Sequence, residues 1–378
     1  MPPSAHTRRS TSVRAFLLGN RLNALVVFLP IALVLRASGA SDILVFLTSA
    51  LAVVPLAGLI GATTEEVARY VGPGLGGFLN ATFGNAAELI IAVLALREGL
   101  TEVVKASLVG SILGNLLLVL GLSMLVGGWG RERQTFNRTH VGVSAGLLLL
   151  TVAAILLPDI YAETLSSAAP LRAPSILTIS VLVSVVMLVT YGASLIFSLR
   201  THRSLLGSSH TEATTDPAKL TRSSALLLLL VATALTAVAA EVLVGSIEHA
   251  AQAIGLSELF VGAVIVAIVG NAAEHFSAVL FARRNHMDLA VGIALGSAAQ
   301  VGLLVAPIAV LVSLVVGHPM ALVFDHFELG AVLFAVLGVS FLSLDGESNW
   351  FEGVLLLAIY CVIAIIFFFV PSAVVTPQ

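Results

Sequence analysis

Long apolar runs alternate with short polar breaks along the whole chain. Charges, Gly and Pro punctuate the runs. They delimit eleven segments, at 22–36, 43–65, 76–96, 103–127, 140–157, 175–199, 224–247, 259–282, 288–316, 328–344 and 351–370. One α-helical membrane crossing needs roughly 20 apolar residues. The pattern therefore predicts eleven transmembrane helices. The runs are long rather than alternating, and aromatic residues make up only 6%. An outer-membrane barrel, built from segments of about ten alternating residues, is not expected. The longest hydrophilic stretch spans 200–223 and reads as a linker between two halves. The predicted organisation is an N-terminus with the first span (1–40), a first unit (41–199), the cytoplasmic linker (200–223) and a second unit (224–378).

Composition sharpens the class. Of 378 residues, 58% are apolar and 10% are charged, against roughly 25% charge in soluble domains. An ordinary soluble enzyme and a disordered chain are excluded. The formal net charge of −3 leaves no basic face for nucleic acid. The single cysteine, Cys361, lies in the last apolar run, so there is no disulfide framework and no Cys-based metal site. What remains is an all-α polytopic membrane protein, with the lipid bilayer as its surroundings and no obligatory protein partner evident.

Arg8, Arg9, Arg14 and Arg21 precede the first run, and no small-residue cleavage site follows it. It is read as a retained span rather than a signal peptide. With the N-terminus in the cytoplasm and strict alternation of sides, 14 of the 18 Lys and Arg residues fall on the cytoplasmic side. Only Arg36, Arg97, Lys105 and Arg172 fall opposite. This is the positive-inside bias, and one miscounted central helix would scramble it. The short tails favour a bacterial cytoplasmic membrane over a vacuole-type membrane.

The chain contains an internal repeat. Residues 84–97, GNAAELIIAVLALR, match residues 270–283, GNAAEHFSAVLFAR, at nine of fourteen positions with an offset of 186. The same offset pairs Gly110-Ser111 with Gly296-Ser297 and Leu117-Leu118-Val119 with Leu303-Leu304-Val305. The copies fall in the third and eighth spans, five helices apart. An odd separation makes them cross the membrane in opposite directions. The expected architecture is two inverted five-helix repeats with the first span outside the duplication. That is the plan of secondary transporters, whose site lies at the midplane between halves.

Glu88 and Glu274 are the sharpest chemical signals. An ionised carboxylate at mid-membrane costs at least about 2.5–3.5 kcal/mol, and this one recurs in both copies. Gly84 and Gly270 permit the backbone to loosen and free carbonyl oxygens. Asn85 and Asn271 sit three residues before each Glu, on the same helix face. The Ala pairs between them let neighbouring helices approach. Inverted copies would point two carboxylates and two amide oxygens at one centre. That all-oxygen site suits a hard divalent cation, calcium better than magnesium. Without a cation, two nearby desolvated carboxylates favour protonation. Protons and cation then compete for the same oxygens and titrate as a coupled pair.

Other polar groups are placed around this centre. Ser111, Asn115, Ser297 and Gln300 put hydroxyls and amides into apolar spans and read as walls of the site or its access path. Glu65, Glu66, Glu241, Glu248 and His275 read as a proton or cation path, with Glu241 inside the seventh span. Gly142-Val143-Ser144-Ala145-Gly146 matches the G-x-S-x-G hydrolase pattern, but small residues in a span usually serve packing. No Walker A, H-E-x-x-H or dinucleotide fingerprint occurs. No cofactor is expected, and a gradient must drive transport.

The GNAAEL and GNAAEH repeats, with the GSILGN and GSAAQVGLLVAP segments, resemble the calcium/proton exchangers, the cation/proton exchanger family of the calcium/cation antiporter superfamily. The resemblance covers about residues 43–370. It implies eleven helices, one of them a peripheral first helix, with Glu88 and Glu274 as central ion ligands. It also implies alternating access, partly by movement of the first and sixth helices, and removal of calcium from the cytoplasm in exchange for protons. One departure is the linker, which carries only Glu212 and Asp216 where many relatives are strongly acidic. Rival readings are a sodium- or potassium-coupled exchanger, a passive channel, and an intramembrane hydrolase using Ser144.

Overall fold

In the computed structural model, residues 12–167, 175–202 and 218–370 are described. Arg8, Arg9, Arg172, Glu212, Asp216 and most of the predicted linker (203–217) lie outside the described residues. The described chain is helical apart from turns and one small ribbon. In order, the helices are α1 (Val13–Leu18), α2 (Phe28–Ala37), α3 (Asp42–Val71), α4 (Pro73–Phe83), α5 (Ala86–Arg97), α6 (Thr101–Gly128) and α7 (Arg138–Ser167). They continue with α8 (Ile176–Thr201), α9 (Arg222–Ile254), α10 (Glu258–Arg283), α11 (Met287–Val316), α12 (His326–Ser343) and α13 (Trp350–Phe369).

Local chemistry explains the helix ends. Ser175, Thr221 and Ser257 accept a backbone N–H with their hydroxyls at the starts of α8, α9 and α10. Capping boxes start α12 (Asp325 with Glu328) and α13 (Asn349 with Glu352), each satisfying two orphan N–H groups. Gly255 ends α9 and Gly317 ends α11 in left-handed geometry, where a side chain would be strained. The strands β1 (Gln134–Thr135) and β2 (Glu347–Ser348) pair antiparallel. They tie the loop after α6 to the loop before α13.

Among the described residues, nine helices are long and apolar enough to cross a membrane. The predicted third span is instead two helices, α4 and α5, bent by 43° at Gly84-Asn85. Counted as one, the pair makes ten. The predicted first span begins as a 3₁₀ helix, Arg21–Val27, and continues as α2. Pro30 accounts for the change. It lacks an N–H and crowds the carbonyl four residues back, which an α-helix beginning at Arg21 would have to tolerate. The two pieces together are about 29 Å long, close to the roughly 30 Å of a bilayer core. Ala32 of α2 packs with Val45 of α3 and Val242 of α9, so this element lies on the outside of that pair.

The centre is a single large apolar cluster drawn from nearly every long helix. Helix α6 is the most thoroughly buried of them. The outer faces of α8, α9, α12 and α13 expose large apolar side chains such as Val189, Leu230, Phe341 and Phe369, as lipid-facing surfaces do. Helices touch backbone to backbone at glycines. A Cβ on Gly110 of α6 would lie 2.0 Å from the Ala263 carbonyl oxygen of α10. A Cβ on Gly353 of α13 would lie 2.6 Å from the Gly121 carbonyl oxygen of α6. Wider π-helical turns interrupt α6 at Gly114–Val119 and α11 at Val301–Val305. These two turns end 186 residues apart, the offset of the sequence repeat.

Gly110→Ala should force α6 and α10 apart and lower stability by about 1–3 kcal/mol, read as a fall in the melting temperature of the detergent-solubilised protein. Gly296, the repeat counterpart, has nothing within 4 Å of its would-be Cβ, so Gly296→Ala should leave the melting temperature nearly unchanged.

Candidate functional site

The break between α4 and α5 determines where the first motif points. Asn85 holds the cap position of α5, yet its side chain makes no cap bond. Its amide instead donates to Gln300 Oε1 on α11, at 2.5 Å. Glu88 then falls in the first turn of α5, where the positive end of the helix dipole favours a negative charge. The second motif sits on unbroken helix, because α10 runs straight through Gly270 and Asn271.

The two motifs meet reciprocally. A Cβ on Gly84 would lie 3.6 Å from Glu274 Oε1. A Cβ on Gly270 would lie 3.5 Å from Glu88 Cγ and 3.8 Å from Glu88 Oε1. Each glutamate therefore lies over the glycine of the other copy. Glu88 is buried and Glu274 half-buried.

An amide–hydroxyl lattice joins α6, α10 and α11 beside them. Asn271 Nδ2 donates to Ser111 Oγ and to the Ala267 carbonyl, both at 2.9 Å. Asn115 Nδ2 lies 2.9 Å from the Ser111 carbonyl, 3.2 Å from Asn271 Oδ1 and 3.3 Å from Ser297 Oγ. Ser297 Oγ donates to Glu274 Oε2. A backbone carbonyl can only accept, so the bonds to Ala267 and Ser111 set which way round these two amides stand. Three buried oxygens are left with no donor: Glu88 Oε2, Asn85 Oδ1 and Asn115 Oδ1.

That leftover set is acceptor-only, which is what a desolvated cation requires. Among the described residues, no three or more His, Cys, Asp or Glu side chains cluster closely enough to hold a metal ion. Any cation here must draw on amide, hydroxyl, backbone or water oxygens beyond the two carboxylates. All eight residues expected as ligands or walls, Asn85, Glu88, Ser111, Asn115, Asn271, Glu274, Ser297 and Gln300, fall within this one constellation.

The expected path residues are dispersed. Glu66 is 2% exposed and forms an ion pair with Arg69 at 3.0 Å, while Glu65 pairs with the same guanidinium at 2.8 Å. Glu66 also accepts two backbone N–H groups, from Lys219 and Leu220. Glu241 and Glu248 are exposed on α9, and Glu248 takes a bond from Gln252 at 3.3 Å. Nineteen residues separate Glu241 from Arg222, about 28 Å of helix. Glu241 is the twentieth of the 33 residues of α9. His275 lies against Gly114 of the α6 π turn, with Nε2 buried and unpartnered. Ser144 is buried within α7, not on the sharp strand-to-helix turn that a nucleophile elbow needs.

Two contributors escape sequence reading. Gly58 of α3 passes Ala273, with 3.3 Å from its would-be Cβ to the Ala273 Cβ, one residue from Glu274. Arg69 is the other, although its spacing of three and four residues from Glu66 and Glu65 was a usable signal.

The profile of the sodium/calcium exchanger protein family matches this chain over residues 41–200 and again over 224–369. The chain belongs to that family. The exchanger is 43% identical over 360 residues to the Ca2+/H+ antiporter of Aphanothece halophytica, covering 92% of this chain and 96% of that one. It is 44% identical over 365 residues to the Ca2+/H+ antiporter of Synechocystis sp., covering 93% and 97%. The solved structure of native YfkE, a Ca2+/H+ antiporter, superposes with a TM-score of 0.79 at 39% identity, over 92% of this chain and all of that one.

Asn271→Leu strips partners from Ser111, Asn115 and Ala267 at once. It should cost about 1–3 kcal/mol of stability for each buried group left unsatisfied. Thermal unfolding should show a drop larger than for Gln300→Leu, which removes one bond.

Proposed function

We propose that this exchanger is a secondary active antiporter, a transporter and not an enzyme, that moves calcium against protons across a membrane. Membership of the family and the two relatives named as Ca2+/H+ antiporters support the exchange. Glu88, Glu274, Asn85 and Asn271 are the residues we assign to the cation, with Ser111, Asn115, Ser297 and Gln300 as the surrounding wall. The observation that supports this assignment is the reciprocal seating of the two glutamates, with Glu88 Oε2 and the nearby Asn85 Oδ1 and Asn115 Oδ1 lacking donors.

The chemistry follows from charge. Two ionised carboxylates present −2 to a calcium ion and balance it. Protons on the same oxygens cancel that charge and occupy the lone pairs the ion needs. Loaded with either, the site is neutral enough to cross between the two access states; bare, it is not, because two unpaired buried charges cost several kcal/mol each. Exchange is thereby coupled without any other energy source.

The architecture we assign is two inverted five-helix units, 41–199 and 224–378, with the first helix outside them. Its supports are the repeat, the odd helix separation and the reciprocal glycine contacts. The charge bias places the N-terminus in the cytoplasm. The bacterial relative ChaA of Bacillus subtilis favours a bacterial cytoplasmic membrane.

In inverted vesicles with an imposed pH gradient, Glu88→Gln and Glu274→Gln should each reduce calcium uptake at least about tenfold. Uptake that persists in both variants would overturn the site. Uptake that survives proton-gradient collapse while a sodium gradient is kept would overturn the counter-ion. Adding calcium to purified protein should release protons. Calcium affinity should fall as pH falls, by up to about 100-fold per unit where two protons are displaced, as titration calorimetry at two pH values would read.

A further inference from the structure

The last residues before α9 are held in a receptor built on the end of α3. Glu66 Oε2 accepts the backbone N–H of Lys219 at 2.7 Å and of Leu220 at 2.9 Å. Glu66 Oε1 takes Arg69 Nη1 at 3.0 Å. Tyr70 Oη donates to the Leu220 carbonyl at 2.5 Å. The Leu220 side chain is 1% exposed and packs with Val67 of α3 and Ala225 of α9. Leu79 of α4 and Phe16 of α1 close over this small core. One carboxylate, one phenol and one apolar socket thus hold the N–H groups, the carbonyl and the side chain of a single short stretch. The carboxylate also lies at the N-terminal end of α9, where the helix dipole favours an anion.

The helices so joined reach both halves of the ion site. Helix α3 crosses α10 at Gly58 and Ala273, beside Glu274. Helix α9 packs along α3 and against α5, which carries Glu88. A slip of α3 along α9 would change how the surroundings of Glu274 sit against those of Glu88.

We propose that Glu66 is a positioning residue: it bolts the start of α9 to the end of α3, so that the two helices keep register while access to the site alternates. The proposal rests on the antiport reading above. It gives Glu66 a mechanical role in place of a place on the ion path. A charged acceptor fits that role, since hydrogen bonds to a carboxylate are roughly twice as strong as neutral ones, and two N–H groups share one oxygen. Loosening the joint slows the conformational step and leaves calcium binding alone.

The test is calcium/proton exchange in proteoliposomes across a range of calcium concentrations. Glu66→Gln keeps the shape and removes the charge. Its maximal rate should fall about tenfold with KM for calcium within about twofold of wild type. Glu66→Asp should recover part of that rate. Tyr70→Phe removes only the bond to the Leu220 carbonyl and should lower the rate about twofold. A rise in KM at unchanged maximal rate would put Glu66 on the cation's path and overturn the proposal. Unchanged rate and KM in Glu66→Gln would overturn it too. Where Glu66→Gln does not fold, Tyr70→Phe decides by the same two readings. Glu88→Gln serves as the control: exchange that survives it removes the antiport reading, whatever the Glu66 variants do.

Discussion

A carboxylate held away from water must be neutralised by something, and the choice of partner decides what the protein can do. In this exchanger four donors beside the two glutamates are already committed. The amides of Asn85, Asn115 and Asn271 and the hydroxyl of Ser297 all donate to acceptors inside the protein. Oxygens are in surplus, and Glu88 Oε2, Asn85 Oδ1 and Asn115 Oδ1 receive nothing. A surplus of desolvated acceptors is a demand for positive charge. In the assignment proposed above, calcium and protons are the two ways of meeting it, and they exclude one another because they use the same lone pairs.

The same principle is settled differently at the edge of the molecule. Glu66 is as deeply buried as Glu88, but Arg69 and two backbone N–H groups satisfy it completely. Burial and charge do not separate the two carboxylates, and the number of donors within reach does.

Nearly identical motif sequences adopt two backbones. Gly84-Asn85 breaks a helix by 43°, whereas Gly270-Asn271 continues one. Glycine allows both, so the neighbours choose. Helix α4 leans on α3, where Gly76 approaches the Ala68 carbonyl, and on Leu199 at the end of α8 beside Gly77. The matching part of α10 lies along α6, with Gly262 against Ala106 and Ala263 against Gly110. Two copies of one motif therefore present their glutamates to a shared centre from unlike helices.

The sequence by itself determined the class and most of the apolar stretches, and it pointed to the residues of the candidate site. Burying charge in apolar surroundings is costly, so a duplicated Gly-Asn-Ala-Ala-Glu stands out against a chain that is 58% apolar. Gly, Ser and Asn at matching offsets pointed to the lattice for the same reason. Only the tertiary structure decided what each group bonds to. Glu66 lies 153 residues from Lys219 and meets it only because α3 and α9 pack together. Gly58 could not be picked out among 32 glycines, and the repeat marks Gly110 no more than Gly296, since closeness of two backbones leaves no mark on either segment alone. The bend at Gly84 depended on packing for the same reason: a flexible residue records permission for a shape, and long-range contacts supply the shape.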